Sequence, residues 1–271
     1  MTSNYQSVAG LGVELYENVL TLTLDRQSKR NALDTEMVTG MIRVVDAAGQ
    51  DEDVRVIVLR GAGNDFCSGI DIVARTEPTG VKRPRVGATQ RRLPSEGHRL
   101  ICLLTEVQTP VICEVRGWAV GMGLHLVLTA DFAVVSHDAL MWEPFSERGM
   151  SVDSGGAWLL PRRIGEMHAR EMLLLGRKVS GREAAEWGLA YRSVSSDEFG
   201  VVVRDLVDSL LSLPTVAIGL TKSLLRSGSR SSLEEHLRHE ALAIELAVRS
   251  EDFREGIAAF REKRPPRFVG R

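Results

Sequence analysis

Hydrophobic and polar side chains alternate over residues 11–24, with Glu17-Asn18 interrupting between Val13-Glu14-Leu15-Tyr16 and Val19-Leu20-Thr21-Leu22-Thr23-Leu24. A period of two puts alternate side chains on one face of a strand, so the segment predicts an antiparallel hairpin turning at Glu17-Asn18. After a polar loop from Asp25 to Asn31 the period changes. Met37, Met41, Val44, Val45 and Ala48 recur at helical spacing, and Asp34 stands where an N-cap belongs. The apolar run at 54–59 reads as a buried strand, and 110–115 and 132–136 repeat it, each after a helix-length segment. Strands alternating with helices predict an α/β chain with a parallel sheet and right-handed connections. From Glu166 onward the pattern is helical, at 166–175, 181–188, 198–212, 215–226, 231–248 and 251–261, with a short strand near 190–194. Residues 74–97, with Pro78, Gly80, Pro84, Gly87, Pro94 and Gly97, read as a loop.

Composition narrows the class of partner. The 271 residues are 44% hydrophobic and 26% charged, enough for a full core plus an appendage, and a domain boundary falls near residue 200. A formal net charge of −2 gives no positive field for nucleic acid or an acidic membrane, which favours a small-molecule partner. Three cysteines, Cys67, Cys102 and Cys113, form neither a disulfide framework nor a zinc pattern and read as reduced thiols. The N-terminus shows no basic start followed by an apolar stretch, and no apolar run approaches the ~20 residues of a membrane span. The expectation is a soluble, cytoplasmic protein without a metal.

Two glycine-rich segments follow buried strands. Gly61-Ala62-Gly63-Asn64-Asp65-Phe66-Cys67-Ser68-Gly69-Ile70-Asp71 comes after the 54–59 strand, and Gly117-Trp118-Ala119-Val120-Gly121-Met122-Gly123-Leu124-His125 follows the 110–115 strand into an apolar helix. A strand, a glycine turn and a helix N-terminus offer unpaired N–H groups where anionic charge is favoured. Neither the P-loop nor the dinucleotide spacing is present. The residues alone therefore predict an anion or oxyanion site, or a structural turn.

These segments resemble the crotonase (enoyl-CoA hydratase/isomerase) superfamily over nearly the whole chain. The resemblance rests on Asp25-Arg26, Lys29-Arg30-Asn31-Ala32-Leu33, Phe66-Cys67-Ser68-Gly69-Ile70-Asp71, Gly121-Met122-Gly123, Ala130-Asp131-Phe132, Leu160-Pro161-Arg162 and the ending Glu262-Lys263-Arg264-Pro265-Pro266-Arg267-Phe268. It implies a crotonase-like ββα spiral core binding acyl-CoA over 1–200 and a helical region over 201–271 that trimerises and completes the CoA site. A homotrimer or dimer of trimers follows. The thioester oxygen would sit between the backbone N–H groups of Ser68 and Met122. Adenine and phosphates would lie near Lys29, Arg30, Ala32 and Leu33, with backbone of Asp65, Phe66 and Ile70 close by and Phe260 and Lys263 completing the site. No cofactor is implied beyond the coenzyme A of the substrate.

Hydratases of this family move protons with two glutamates, and the corresponding positions here are His125 and Phe145. The stretch from Phe145 to Arg162 is instead similar to an isomerase branch with an aspartate at the Asp153 position, which predicts a proton shuttle through Asp153. Asp153 is also a natural cap for a helix starting at Ser154. His125 is a second acid–base candidate, or a core residue among Leu124, Leu126 and Val127. Glu143 and Glu147 flank the same loop as substitutes for Asp153, with Glu147 expected to pair at the surface with Arg148 or another cation. Trp142, Phe145 and Trp158 line an acyl pocket or pack the core. Cys67 is expected to be inert. Lys82, Arg83, Arg85, Arg91 and Arg92 form a basic stretch that faces CoA phosphates or solvent. The predicted activity is double-bond isomerisation of an unsaturated acyl-CoA. The rivals are hydration with unusual acid–base groups, acyl-CoA binding without catalysis and, disfavoured by charge, RNA binding.

Overall fold

The computed structural model describes residues 5–72 and 85–271. The hairpin forms as predicted: β1 (Leu11–Tyr16) and β2 (Val19–Leu24) pair antiparallel with Tyr16 opposite Val19. Glu17 and Asn18 both take positive φ (46° and 66°), the left-handed pair that a two-residue hairpin requires. Helix α1 (Thr35–Ala48) begins where Asp34 accepts the Met37 N–H at 2.9 Å, and its buried stripe includes all five residues picked out by periodicity.

Strand β3 (Val56–Gly61), a short helix α2 (Ala88–Arg92), helix α3 (Gly97–Glu106), β4 (Val111–Val115), β5 (Trp118–Val120), α4 (Met122–Thr129) and β6 (Phe132–Ser136) follow. With β9 (Arg192–Val194), the six-stranded sheet has the order β1-β2-β3-β4-β6-β9, parallel throughout except for the hairpin. Both faces are covered, which is why its central strands read as nearly continuous apolar runs. Leu20, Leu22, Ile57, Leu59, Val111 and Cys113 face the main core with α1, α3 and α4. Val56, Val58 and Ile112 face the other way, onto Leu210 of α7 (Phe199–Leu211), and Val134 meets Phe199 and Val203 of the same helix. Thus α7 closes the second face of the sheet.

Three features depart from the sequence reading. A second sheet of β5, β7 (Leu140–Trp142) and β8 (Val179–Ser180) stands apart from the first. The helix expected at 166–175 is the second half of α5 (Gly156–Leu175), whose two halves meet at Gly165 (φ 74°, ψ 166°). The first half begins at Gly156, two residues beyond the Ser154 start at which Asp153 would have been the cap. In the expected loop, residues 85–97 contain α2 and the first residue of α3. Of its basic residues, Lys82 and Arg83 lie outside the described residues, while Arg85, Arg91 and Arg92 are exposed and Arg92 pairs with Glu96 at 3.3 Å.

The remaining helices are α6 (Gly181–Glu186), α8 (Thr215–Gly228), α9 (Leu233–Ala247) and α10 (Glu251–Glu262). A mostly buried ion pair ties α8 to the sheet: Lys222 Nζ donates to Asp131 Oδ2 at 2.6 Å, and the same oxygen accepts the Val111 N–H at 2.8 Å. Among the described residues no helix is long and apolar enough to cross a membrane.

Candidate active site

The two glycine-rich turns cross at the C-terminal ends of β3 and β4. Cys67 donates its N–H to the Trp118 carbonyl (2.8 Å) and accepts from the Val120 N–H (2.9 Å), a parallel bridge that fixes one turn against the other. The crossing is so close that a Cβ on Gly123 would come 2.5 Å from the Cys67 carbonyl oxygen, and one on Gly69 (φ 90°) 2.8 Å from that of Val120. Only glycine fits at either place.

This crossing decides which N–H groups can receive a negative oxygen. The Met122 N–H opens α4 and has no acceptor among the described residues, as expected for the first turn of a helix. The Ser68 N–H, the other expected donor, is taken: it donates to the Arg30 carbonyl at 2.9 Å. Ser68 therefore cannot serve in this arrangement. Two residues on, Ile70 forms a parallel bridge with Leu33, in which the bonds are Leu33 N–H to Gly69 C=O and Asp71 N–H to Leu33 C=O, both 2.8–2.9 Å. In such a bridge the central residue turns its own N–H to the opposite side. The Ile70 N–H is thus left without an acceptor among the described residues. It directly follows Gly69, whose Cβ position is 3.7 Å from the Met122 nitrogen. The two N–H groups left free beside the crossing, among the described residues, are those of Ile70 and Met122.

Asp153 lies half-buried just before α5. Its carboxylate does not cap that helix: the N-cap is Gly155 (φ 89°), and Asp153 meets the Gly156 N–H through its backbone carbonyl at 3.1 Å. Among the described residues no hydrogen bond or ion pair engages the carboxylate. The segment is held close to the donor turn, because a Cβ on Gly97 would lie 3.2 Å from Ser154 Oγ and 3.7 Å from Met122 Cε.

His125, one turn along α4 from Met122, is wholly buried, and its Nε2 is 2.9 Å from Oε1 of an equally buried Glu143. Burial pushes the Glu143 carboxyl up, His125 pulls it down through charge and hydrogen bond, and Asp153 pushes it up again. The Phe145 ring lies parallel to the His125 ring at 6.1 Å. Glu147 is exposed, next to Gly176 rather than paired with Arg148, whose guanidinium lies over Trp142. Trp158 is a partly exposed ring between Arg162 and Arg230 rather than part of the core. Burial pushes the Cys67 thiol up to about 12 despite the Gly69 N–H beside it, which leaves it protonated and unreactive at neutral pH.

The expected CoA residues gather on the other side of the first turn. Lys29 and Arg26 both reach Asp71 Oδ2 (2.8 and 3.0 Å), and the Asn31 amide donates to the carbonyls of Ala62 and Asp65. Asp65 in turn accepts the Trp118 N–H, and Arg30 lies over the Trp118 ring. Lys29, Arg30, Ala32, Leu33, Asp65, Phe66 and Ile70 therefore share one region, although the Leu33 and Phe66 side chains are core and offer only backbone. Phe260 is 84% exposed on α10, and neither it nor Lys263 is hydrogen-bonded or ion-paired to this region among the described residues.

The family model described as Enoyl-CoA hydratase/isomerase matches residues 14–271. The chain belongs to this family. As an enoyl-CoA hydratase/isomerase of the crotonase superfamily, it is 35% identical over 256 residues to the 1,2-epoxyphenylacetyl-CoA isomerase of Escherichia coli, with 94% of this chain and 96% of the relative covered. It is 33% identical to the carnitinyl-CoA dehydratase of Proteus mirabilis, at 94% and 96% coverage. Among solved structures it is similar to an enoyl-CoA hydratase from Bacillus anthracis (TM-score 0.89, 25% identity, 97% and 100% covered) and an enoyl-CoA hydratase/isomerase from Cupriavidus metallidurans (TM-score 0.88, 29%, 98% of each). The crotonase fold and the acyl-CoA class of substrate are those of the family. The reactions named for these relatives differ, so the choice among them rests on the acid–base groups around Ile70 and Met122.

Proposed function

We propose that this enoyl-CoA hydratase/isomerase moves a double bond along an unsaturated acyl-CoA, with Asp153 carrying the proton. The observation behind this reading is the Asp153 carboxylate, free of cap or ion pair among the described residues and borne next to Ser154, which lies with the Met122 side chain around Gly97. The likeness to an isomerase supports it, as does the presence of His125 and Phe145 where hydratases of the family are expected to carry their glutamates. The thioester oxygen binds between the N–H groups of Ile70 and Met122. Asp153 takes a proton from the carbon next to the thioester, and the C–H electrons move onto that oxygen as an enolate conjugated with the double bond. The resulting carboxylic acid returns the proton to a carbon two positions away. Atoms and charge balance without a cofactor, and each donor aimed at the developing oxyanion contributes about 3 kcal/mol. Lys29 and Arg30 neutralise the CoA phosphates, with backbone of Ala32, Leu33, Asp65 and Phe66 around the adenine.

A 3-enoyl-CoA incubated with the protein in deuterium oxide should give the conjugated 2-enoyl isomer, with deuterium at the exchanging carbon. A product heavier by one water and no isomer would favour hydration through the His125–Glu143 pair, the second reading. No exchange with any of several thioesters would leave a non-catalytic binder.

The proposal includes a homotrimer or a dimer of trimers, located in the cytoplasm and without nucleic-acid or membrane partners. Its support is α9, a 15-residue helix with no buried residue, although Leu233, Leu237, Leu242, Ile244 and Leu246 are each more than half exposed. Leu233, Leu237 and Ile244 share one face of the helix and Leu242 and Leu246 the opposite one, and apolar faces exposed on both sides need cover. A neighbouring copy would provide it and bring Phe260 and Lys263 to a CoA site. Sedimentation should give a trimer or hexamer at micromolar concentration, and monomer alone would refute the assembly.

A further inference from the structure

The buried His125–Glu143 pair is left out of the proton path above, yet it joins the two halves of the site. His125 stands three residues after the Met122 donor on α4, and Glu143 follows β7 two residues before Phe145. The pair also touches the start of α5, where a Cβ on Gly156 would lie 2.6 Å from His125 Nε2, three residues after Asp153. Both side chains are fully buried, and His125 Nδ1 and Glu143 Oε2 have no hydrogen-bond partner among the described residues. A carboxylate in such a place, without a compensating proton, is strongly disfavoured. The pair must therefore hold one proton between its members, as imidazolium and carboxylate or as imidazole and carboxylic acid, with no net charge in either form.

We propose that His125 and Glu143 are a positioning pair whose single shared proton keeps the site at one negative charge, that of Asp153, so that a second can develop on the enolate oxygen. The inference rests on the proton-transfer reading of Asp153. The charged groups acting on Glu143 are His125 from α4 and Asp153 from the segment before α5, while Phe145 covers the imidazole face. When the pair loses its proton, an uncompensated carboxylate stands near Asp153. Enolate formation then has to place a further negative charge in a site that already holds two. Burial delays that loss to higher pH than for an exposed carboxyl. The rate of proton exchange should therefore fall at high pH, once the pair gives up its proton.

The test is deuterium exchange into an acyl-CoA thioester as a function of pH, corrected for the enzyme-free rate, together with nitrogen NMR titration of His125. In the wild type the alkaline fall should be roughly 10-fold, the scale of one added charge at short range in a protein interior. Glu143→Gln keeps an acceptor for the imidazole but cannot titrate. It should hold its exchange rate through the alkaline range, leave KM for the thioester nearly unchanged, and move the His125 titration. If Glu143→Gln does not fold, the doubly uncharged His125→Gln/Glu143→Gln protein should show the same flat alkaline profile. An alkaline fall that persists in either folded variant, its absence from the wild type, or a His125 titration indifferent to Glu143 would each overturn the pair. Wild-type protein that exchanges no thioester proton while His125 and Glu143 still titrate together would instead overturn the Asp153 reading.

Discussion

Replacing Asp153 with asparagine should slow proton exchange into bound thioester by roughly 100-fold or more, the usual loss when a positioned acid–base group is removed. The substitution is nearly isosteric. It also leaves the helix start intact, because α5 is capped by Gly155 and the Asp153 carboxylate makes no capping bond. Folding and thioester affinity should therefore match the wild type, and calorimetric binding beside exchange in deuterium oxide would separate lost chemistry from lost binding. Unchanged exchange in a folded, binding-competent Asp153→Asn protein would end the single-carboxylate mechanism. The proton path would then have to run through His125 and Glu143, since Glu147 is exposed at the surface.

A loss of similar or greater size is expected from Met122→Pro. Proline lacks the N–H, and in the first turn of a helix that absence disturbs no intrahelical bond. The residue before it, Gly121, already sits at φ 50°, ψ −118°, a region that glycine tolerates. The helix should survive while the oxyanion loses one of its two donors, which lowers kcat roughly 100- to 1,000-fold. Met122→Leu keeps the N–H and most of the buried side-chain volume, so it should stay within a few-fold of wild type. The comparison separates backbone from side chain. A Met122→Pro protein with native circular dichroism and full activity would place the oxyanion site elsewhere.

Much of the frame was legible in the sequence for local reasons. The hairpin carries its own turn residues, α1 its own cap and stripe, and the buried strands their apolar runs, so each signal lies within a few neighbouring residues. The small sheet was not legible because its strands are two or three residues long and show no period. Its effect is to hold β5, and through it the Cys67 bridge, in place. The donor assignment failed for a related reason. Which way a backbone N–H points is a property of pairing, and the bond from Ser68 to Arg30 and the bridge between Ile70 and Leu33 link residues more than 30 positions apart. His125 and Glu143 were each visible as a polar residue in an apolar stretch. That each is the other's partner appears only when α4 and the end of β7 are folded together.

In the donor turn the two N–H groups are aimed by backbone bonds and by glycines that allow the chains to cross, and the side chains at positions 70 and 122 have no part in aiming them. With the thioester carbonyl bound there as proposed, mutation is free to remodel its surroundings while the point of polarisation stays fixed. Proteins of this fold can drift from one reaction to another by exchanging a few flanking groups, without passing through a form that has lost its hold on the enolate. The relatives named isomerase and dehydratase, each about a third identical to this chain, are what such drift would leave behind. For an engineer, the acyl-facing side chains are the place to begin, and the crossing of the two turns is the place to leave alone.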